Sequence, residues 1–169
     1  MGTRTYAYLG IGSNIGDRFD NLQRAVASIN ERLGEVVECS RVYDTEPMGF
    51  ESSNRFLNAV IKIIPKVSPG VMLKEIKDIE TQAGRKQRKP GEGYSDRCID
   101  IDILLFGSRI HSSKTLTIPH EKLAERIFVL KPLVDIAPNL IVPGHAMTTI
   151  ELLGMRHDFD TIKPIDKTL

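Results

Sequence analysis

The sequence contains only two cysteines, Cys39 and Cys98, and no C-x-x-C pair or paired Cys/His spacing. This scarcity argues against a structural zinc site or a disulfide framework, and we interpret both residues as reduced thiols. No apolar run approaches the roughly 18 residues of a membrane span. The first residues, MGTRTYAYLGIGSN, lack the pattern of a signal peptide. We therefore expect a soluble cytoplasmic protein without a membrane partner.

The chain also lacks an excess of charge of either sign. It has 23 Lys and Arg against 22 Asp and Glu, a net charge of +1. That balance argues against nucleic acid as a partner, because there is no overall attraction to phosphate backbones. Phosphate-binding and esterase motifs of the G-x-x-x-x-G-K-[ST] and G-x-S-x-G types are missing too. With 169 residues and 41% hydrophobic residues, we expect one domain over residues 1–169, present as a monomer.

The apolar periodicity predicts alternating strands and helices. We expect strands over 5–11, 36–43, 56–64 and 98–106, and helices over 19–33 and 71–83, with a later helix at 126–137 and a short one at 149–155. Gly34 suits the end of the first helix, and Ser68-Pro69 suits the start of the second. The order β-α-β-β-α-β predicts an α+β fold with a ferredoxin-like core, an antiparallel sheet with helices packed on it, plus C-terminal additions.

Two aspartates stand out in the most apolar predicted strand. Asp100 and Asp102 are separated by one residue, so they point to the same face of the strand, opposite to the isoleucines around them. Two carboxylates in a mostly buried strand repel each other and are costly to desolvate, and a hard cation such as Mg²⁺ relieves both problems. The alternative is an edge strand with a solvated polar face.

A basic segment precedes this strand. Residues 85–97 contain five basic and two acidic residues together with Pro90, Gly91 and Gly93. Cations beside a metal-binding carboxylate pair are suited to a polyphosphate, and the glycines favour a mobile lid. The alternative is a solvated charged loop.

Other polar residues are candidates for binding. Phe56 and Asn58 share one face of a predicted strand, where the ring could stack on a flat heterocycle and the amide could pair with its edge. His120 and Arg126 could contact phosphate. The alternatives are an ordinary core phenylalanine, a surface asparagine and a structural histidine.

Taken together, these segments resemble the 6-hydroxymethyl-7,8-dihydropterin pyrophosphokinase family of folate biosynthesis. The resemblance covers residues 6–153, and five segments carry it: LGIGSNIGD (9–17), YDTEPMG (43–49), FLNA (56–59), RCIDIDI (97–103) and LTIPH (116–120). The Arg-x-x-Asp-x-Asp segment is the most diagnostic of them. The chain departs from the family pattern in having no tryptophan, with Tyr94 near the place where one often stands, and in having Ser95-Asp96 before Arg97.

The resemblance implies an ATP- and Mg²⁺-dependent enzyme that transfers diphosphate from ATP to the pterin alcohol and releases AMP. It implies two Mg²⁺ ions, held with ATP by Asp100 and Asp102. The implied catalytic residues are Arg88, Arg97, Asp100 and Asp102. The implied pterin-binding residues are Gly12, Thr45, Glu46, Met48, Phe56, Asn58 and Phe128, with the two rings on opposite faces of the pterin. The implied ATP-binding residues are Lys77, Glu80, Arg88, Arg97, Ile103, Thr117, His120 and Arg126.

Two other functions are compatible with parts of this pattern. A ferredoxin-like sheet with exposed aromatic residues could be a non-catalytic module that binds single-stranded RNA. The near-neutral charge and the aspartate pair argue against it, as does the missing RNP1 pattern. A folate-pathway binding protein without catalysis would have no need for Asp100 and Asp102.

Overall fold

Alternating apolar residues build the strands of an α+β fold, seen here in a computed structural model that describes residues 4–85, 93 and 95–169. The strands are β1 (Ala7–Ser13), β2 (Gly34–Cys39), β3 (Tyr43–Thr45), β4 (Phe56–Pro65), β5 (Asp100–Phe106), β6 (His111–Ser112), β7 (Thr117–Ile118) and β8 (Ile162–Pro164). The α-helices are α1 (Arg18–Arg32), α2 (Pro69–Gln82), α3 (Ile127–Ile136) and α4 (Thr149–Gly154). Short 3₁₀ turns lie at Leu123–Glu125 and Phe159–Thr161.

Six strands form one sheet in the order β5-β1-β4-β3-β8, and β2 also pairs with β4. Every pairing in this sheet is antiparallel. Consequently β1 lies between β4, which carries Phe56 and Asn58, and β5, which carries Asp100 and Asp102. The described helices include none that is long and apolar enough to cross a membrane.

The predicted second strand over 36–43 is wrong, because the chain there forms two strands, β2 and β3. The break lies at Ser40, whose backbone N–H donates to the Val60 carbonyl at 2.9 Å. The Ser40 hydroxyl accepts the Val60 N–H, also at 2.9 Å. A side-chain oxygen thus replaces a carbonyl of the ladder, and the two strands meet different parts of the long β4.

Gly34 is required by the close approach of two strands. A Cβ atom there would lie 2.1 Å from the carbonyl oxygen of Ile64, which is far inside van der Waals contact. The helix α1 itself ends at Arg32, and the capping residue Leu33 donates its N–H to the Ile29 carbonyl. The prediction that a glycine follows this helix is therefore confirmed, and its physical cause is the entry into β2.

Helices cover both faces of the sheet. Ile99, Ile101 and Ile103 pack with α1 and α2 in one core, and α3 and α4 pack with Leu104 and Val60 in a second core on the other face. Because side chains alternate along a strand, Asp100 and Asp102 are directed to the face that α3 covers only in part. This leaves room for a cleft at the N-terminal end of α3.

Candidate active site

The floor of the cleft is made of glycine. Gly12 on β1 lies between Asn58 of β4 and Asp100 of β5, and Gly10 lies opposite Asp102. A Cβ atom on Gly12 would lie 2.5 Å from Oδ1 of Asn58. The absence of a side chain on the central strand therefore lets polar groups on both neighbouring strands face the same space.

A cleft lies above this floor, lined by residues of β1, β3, β4, β5 and α3 and of the loops beside them. All seven residues predicted to bind the pterin line it: Gly12, Thr45, Glu46, Met48, Phe56, Asn58 and Phe128. Four residues predicted to act on the phosphates line it as well: Arg97, Asp100, Asp102 and Arg126. Two groups that are distant in sequence therefore share one cavity.

Asn58 and Thr45 form the buried polar wall of the cleft. The Asn58 Nδ2 group donates to the Thr45 hydroxyl at 2.8 Å, and the two residues are only 7% and 3% exposed. This hydrogen bond orients the amide, leaving its carbonyl oxygen and second N–H for a ligand. Such a donor–acceptor pair is suited to the edge of a nitrogen heterocycle.

Aromatic rings line the cleft from different elements. Phe56 lies on β4, and Phe128 lies in the first turn of α3. Phe50 also lines the cleft and meets Phe56 edge-on, with ring centroids 6.1 Å apart. Sequence reasoning missed Phe50, because it lies in an irregular loop where periodicity gives no indication of direction.

Asp100 and Asp102 are each held by cations. Asp100 accepts from Arg85 at 2.6 Å and pairs with Arg97 at 2.9 Å. Asp102 lies 3.3 Å from Nη1 of Arg126 and 3.9 Å from Nε2 of His120. Burial raises the pKa of Asp102, and the Asp100 carboxylate raises it further. The like-charge pair expected from the sequence is therefore present, with guanidinium groups as its counterions.

The two carboxylates are the right chemistry for a hard cation. Within the described ranges, no group of three or more His, Cys, Asp and Glu side chains could hold a metal ion. Two carboxylates on one strand face, both open to the cleft, would leave the other positions of Mg²⁺ to water and phosphate oxygens, an arrangement that Mg²⁺ favours. The residues present therefore fit a cation that arrives with a polyphosphate.

Glu80 joins α2 to the edge strand β5. Its carboxylate accepts the Ile101 N–H at 2.8 Å and pairs with Arg85, which bridges to Asp100. Burial raises the pKa of Glu80 to about 7, although the Arg85 charge opposes the shift. In the sequence Arg85 is only one of several basic residues, and no pattern indicates that it lies between two carboxylates.

The other residues predicted to bind ATP are more scattered. Ile103 is buried in the core below the sheet, Lys77 is exposed on α2, and Thr117 lies on β7; none of the three lines the cleft. His120 flanks Asp102, and its Nδ1 accepts the Lys122 N–H at 3.1 Å. Arg88, predicted to be catalytic, lies outside the described residues, as do most of the basic segment and Tyr94.

Comparison with known proteins identifies a family. Residues 8–138 match the family model described as 7,8-dihydro-6-hydroxymethylpterin-pyrophosphokinase (HPPK). A Porphyromonas gingivalis protein named 2-amino-4-hydroxy-6-hydroxymethyldihydropteridine pyrophosphokinase is 43% identical over 135 residues, which is 79% of this chain and 91% of that protein. The Schizosaccharomyces pombe folic acid synthesis protein fol1 is 42% identical over 139 residues, 81% of this chain.

Two solved structures with the same fold are chains of larger proteins. An HPPK-DHPS in complex with substrates aligns over 96% of this chain with a TM-score of 0.75 and 15% identity. The wild-type Plasmodium falciparum HPPK-DHPS with pteroate aligns over 90% of this chain, with a TM-score of 0.72 and 16% identity. The chain spans 47% and 44% of those two structures and 18% of the S. pombe protein. At these identities the structural likeness shows the fold alone.

Proposed function

The chain belongs to the 7,8-dihydro-6-hydroxymethylpterin-pyrophosphokinase family, and we propose that it transfers diphosphate from ATP to the hydroxymethyl group of 6-hydroxymethyl-7,8-dihydropterin, releasing AMP. One observation carries this proposal: a single cleft brings a buried amide wall and aromatic rings together with a carboxylate pair and arginines. The first group is suited to a flat heterocycle, and the second is suited to a polyphosphate with its cation. The RNA-binding alternative gains no support from the family match.

The pterin is held by the wall formed by Thr45 and Asn58. The ring edge pairs with the Asn58 amide, and Phe56 and Phe128 pack against the ring. The hydroxymethyl group is then directed along the glycine floor toward β5. A pterin turned the other way would leave the amide unpaired in a buried place, which costs about 1–3 kcal/mol.

The triphosphate lies at the β5 side of the cleft. Arg97 and Arg126 line this side, and His120 stands next to Asp102. The pterin hydroxyl oxygen forms a bond to the β-phosphorus and loses its proton to water, the bond from that phosphorus to the oxygen bridging to the α-phosphate breaks, and AMP leaves with that oxygen. The chain contributes chiefly position and neutralising charge, which such transfers require more than covalent help.

Mg²⁺ is the cation that Asp100 and Asp102 would hold, and when bound it would neutralise and polarise the phosphates. We propose that two Mg²⁺ ions bind there together with ATP. For the carboxylates to accept a cation, Arg97 and Arg126, which line the cleft, would shift their hydrogen bonds from carboxylate to phosphate oxygens. The guanidinium groups are suited to that exchange, because they donate readily to the anionic oxygens of either a carboxylate or a phosphate.

The core of the fold is proposed to be ferredoxin-like. The support is the chain order β1-α1-β2/β3-β4-α2-β5 and the placement of β1 between β4 and β5 in an antiparallel sheet. The whole described chain would then act as one enzyme domain, since both cores share the same sheet.

The test is direct detection of products. The chain is incubated with ATP, Mg²⁺ and the pterin alcohol, and nucleotides are separated by chromatography. We expect AMP and pterin diphosphate in equal amounts. A 6-methyl pterin, which has no hydroxyl group, is the matched acceptor control and should yield no AMP. Formation of ADP, or of AMP with the control pterin, would contradict the proposal.

A further inference from the structure

Asp96 receives three hydrogen bonds from two other loops. Its Oδ1 accepts from the Ser52 hydroxyl and from the Asn14 amide, each at 2.6 Å. Its Oδ2 accepts from the Asn54 amide, also at 2.6 Å. An exposed aspartate with both oxygens engaged by three side chains is tied more firmly than a solvated surface charge. Asp96 therefore links the β3–β4 loop to the segment that leads into β5.

Asn14 extends this link to Arg97. The Arg97 N–H donates to the Asn14 side-chain oxygen at 2.7 Å, and the Asn14 N–H donates to the Arg97 carbonyl at 3.1 Å. Asn14 is only 3% exposed, and it follows β1 directly. The backbone of Arg97 is thus fastened to the end of the central strand β1. The residue before it, Asp96, is hydrogen-bonded to the β3–β4 loop.

Both tied segments carry walls of the cleft. The β3–β4 loop, residues 46–55, contributes Glu46, Met48 and Phe50 to the lining. The Arg97 guanidinium lies 5.1 Å from the Phe56 ring centroid and 5.9 Å from that of Phe50. A shift of the loop relative to Arg97 would therefore change the space that the pterin ring needs and the direction of the arginine together.

We propose that Asp96 is a positioning residue, which fastens the β3–β4 loop to the Arg97 segment so that the pterin wall and the phosphate-facing arginine are set relative to each other before substrates bind. This inference rests on the proposed function for its consequence, but its structural part concerns the free protein. The hydrogen bonds, led by that from Ser52, also hold the pKa of Asp96 below its usual value. The acceptor is therefore a carboxylate at neutral pH.

The first test is hydrogen exchange of the free chain, which needs no substrate. In Asp96→Ala the backbone amides of residues 46–55 should exchange faster, while those of β1 and β4 stay protected. Asp166→Ala removes an exposed carboxylate near the end of the described chain and is the matched control, with exchange as in the parent. Uniformly faster exchange in Asp96→Ala, or no change in the loop, would overturn the proposal.

The second test is pterin affinity, measured by titration of the ligand's own fluorescence. Loss of the link should raise the dissociation constant about tenfold in Asp96→Ala. Asp96→Asn keeps one acceptor oxygen, for Ser52 and Asn14, but turns an NH2 group toward the Asn54 amide, so it should recover part of the affinity. Ser52→Ala should weaken binding on its own and should add less than its full effect to Asp96→Ala, because the two share the Ser52–Asp96 hydrogen bond, although the Ser52 hydroxyl also accepts the Asn54 N–H at 3.0 Å. Additive losses, or no recovery in Asp96→Asn, would contradict the link.

The two proposals fail in different ways. If the parent chain forms no AMP, the proposed function is wrong, and the exchange pattern of Asp96→Ala still decides whether Asp96 ties the loop. If the parent forms AMP, but Asp96→Ala has the exchange and the pterin affinity of the parent, only the positioning role is wrong.

Discussion

At the scale of single residues, the site depends on which positions have small side chains. Gly12 permits Asn58 and Asp100 to face one cleft from opposite sides of β1. The strand period of two places Phe56 and Asn58 on that face, and the same rule holds for Asp100 and Asp102. These directions were predictable from the sequence, because each pair lies within a single strand and needs no knowledge of the fold.

Gly12→Ala should weaken pterin binding, although it adds only a methyl group and no polar group to the cleft. The added Cβ would lie 2.5 Å from Asn58 Oδ1, so the amide must move. We expect a loss of about 1–3 kcal/mol in binding, the usual cost of misplacing a buried polar partner. Gly10→Ala is the comparison, because its Cβ would meet Leu104 at an ordinary 3.5 Å. Equal pterin affinities of parent and Gly12→Ala, in a fluorescence titration, would refute the proposed edge recognition.

Asp100→Asn and Asp102→Asn should each slow AMP formation by two orders of magnitude or more, since the proposed cation contributes several kcal/mol to the transition state. The fold should survive, because removing one charge relieves repulsion within the pair. Asp158→Asn removes a carboxylate paired with Arg156 elsewhere on the chain, and it should keep full activity. A rate near that of the parent in either cleft variant, measured in single turnover, would show that the pair does not hold the cation.

At the scale of elements, the contact between α2 and the edge strand β5 depends on Glu80, for which the sequence indicated no structural role. Glu80 on α2 accepts the Ile101 N–H, and it is the anchor of Arg85 beside Asp100. Its carboxylate is buried against β5, which is why its pKa rises to about 7. The position of α2 on the sheet and the charge of this junction are therefore coupled to pH.

Glu80→Gln should change how stability depends on pH. A folded-state pKa raised from 4.5 to about 7 means that Glu80 favours the folded chain fully below pH 4.5, and that this contribution is lost as the pH rises through 7. Between pH 5 and pH 8, the free energy of unfolding of the parent should fall by about 2 kcal/mol relative to Glu80→Gln. Urea denaturation at both pH values measures it. A constant difference between the two proteins would mean that Glu80 is ionised throughout.

The sequence predicted the order of the elements better than their interruptions. Helix α1 was expected within one residue of its observed start and end, since its apolar face and turn residues are local signals. The break between β2 and β3 was missed because it depends on the Ser40 hydroxyl reaching Val60, a contact across the sheet. Phe50 was missed because it lies in an irregular loop without periodicity, and Arg85 was missed because its place depends on how α2 packs beside β5, which brings Glu80 and Asp100 together.

At the scale of the whole molecule, a nearly neutral protein gathers its functional charge in one place. The net charge is only +1, yet Arg97 and Arg126 line the same cleft as Asp100 and Asp102, and Arg85 is bonded to one of those carboxylates. The pterin wall lies on β3 and β4, and the charged part lies on β5 and near α3. Two binding regions on different strands of one sheet should therefore be separable by substitution, although both stabilise the same folded unit.

This separation is testable through thermal stability. A ligand present at about 100 times its dissociation constant stabilises the folded chain by about 2.7 kcal/mol, which for a chain of this size raises the melting temperature by roughly 5–10 °C. The pterin alone, and a non-hydrolysable ATP analogue with Mg²⁺, should each give such a rise in the parent.

In the double variant Asp100→Asn/Asp102→Asn, the Mg²⁺-dependent part of the nucleotide's effect should vanish while the effect of the pterin remains. In Asn58→Ala the reverse should hold, because the amide wall contacts no phosphate. Loss of both effects in either variant would mean that the cleft binds its ligands as one undivided site, and that the assignment of separate strands to the two substrates is wrong.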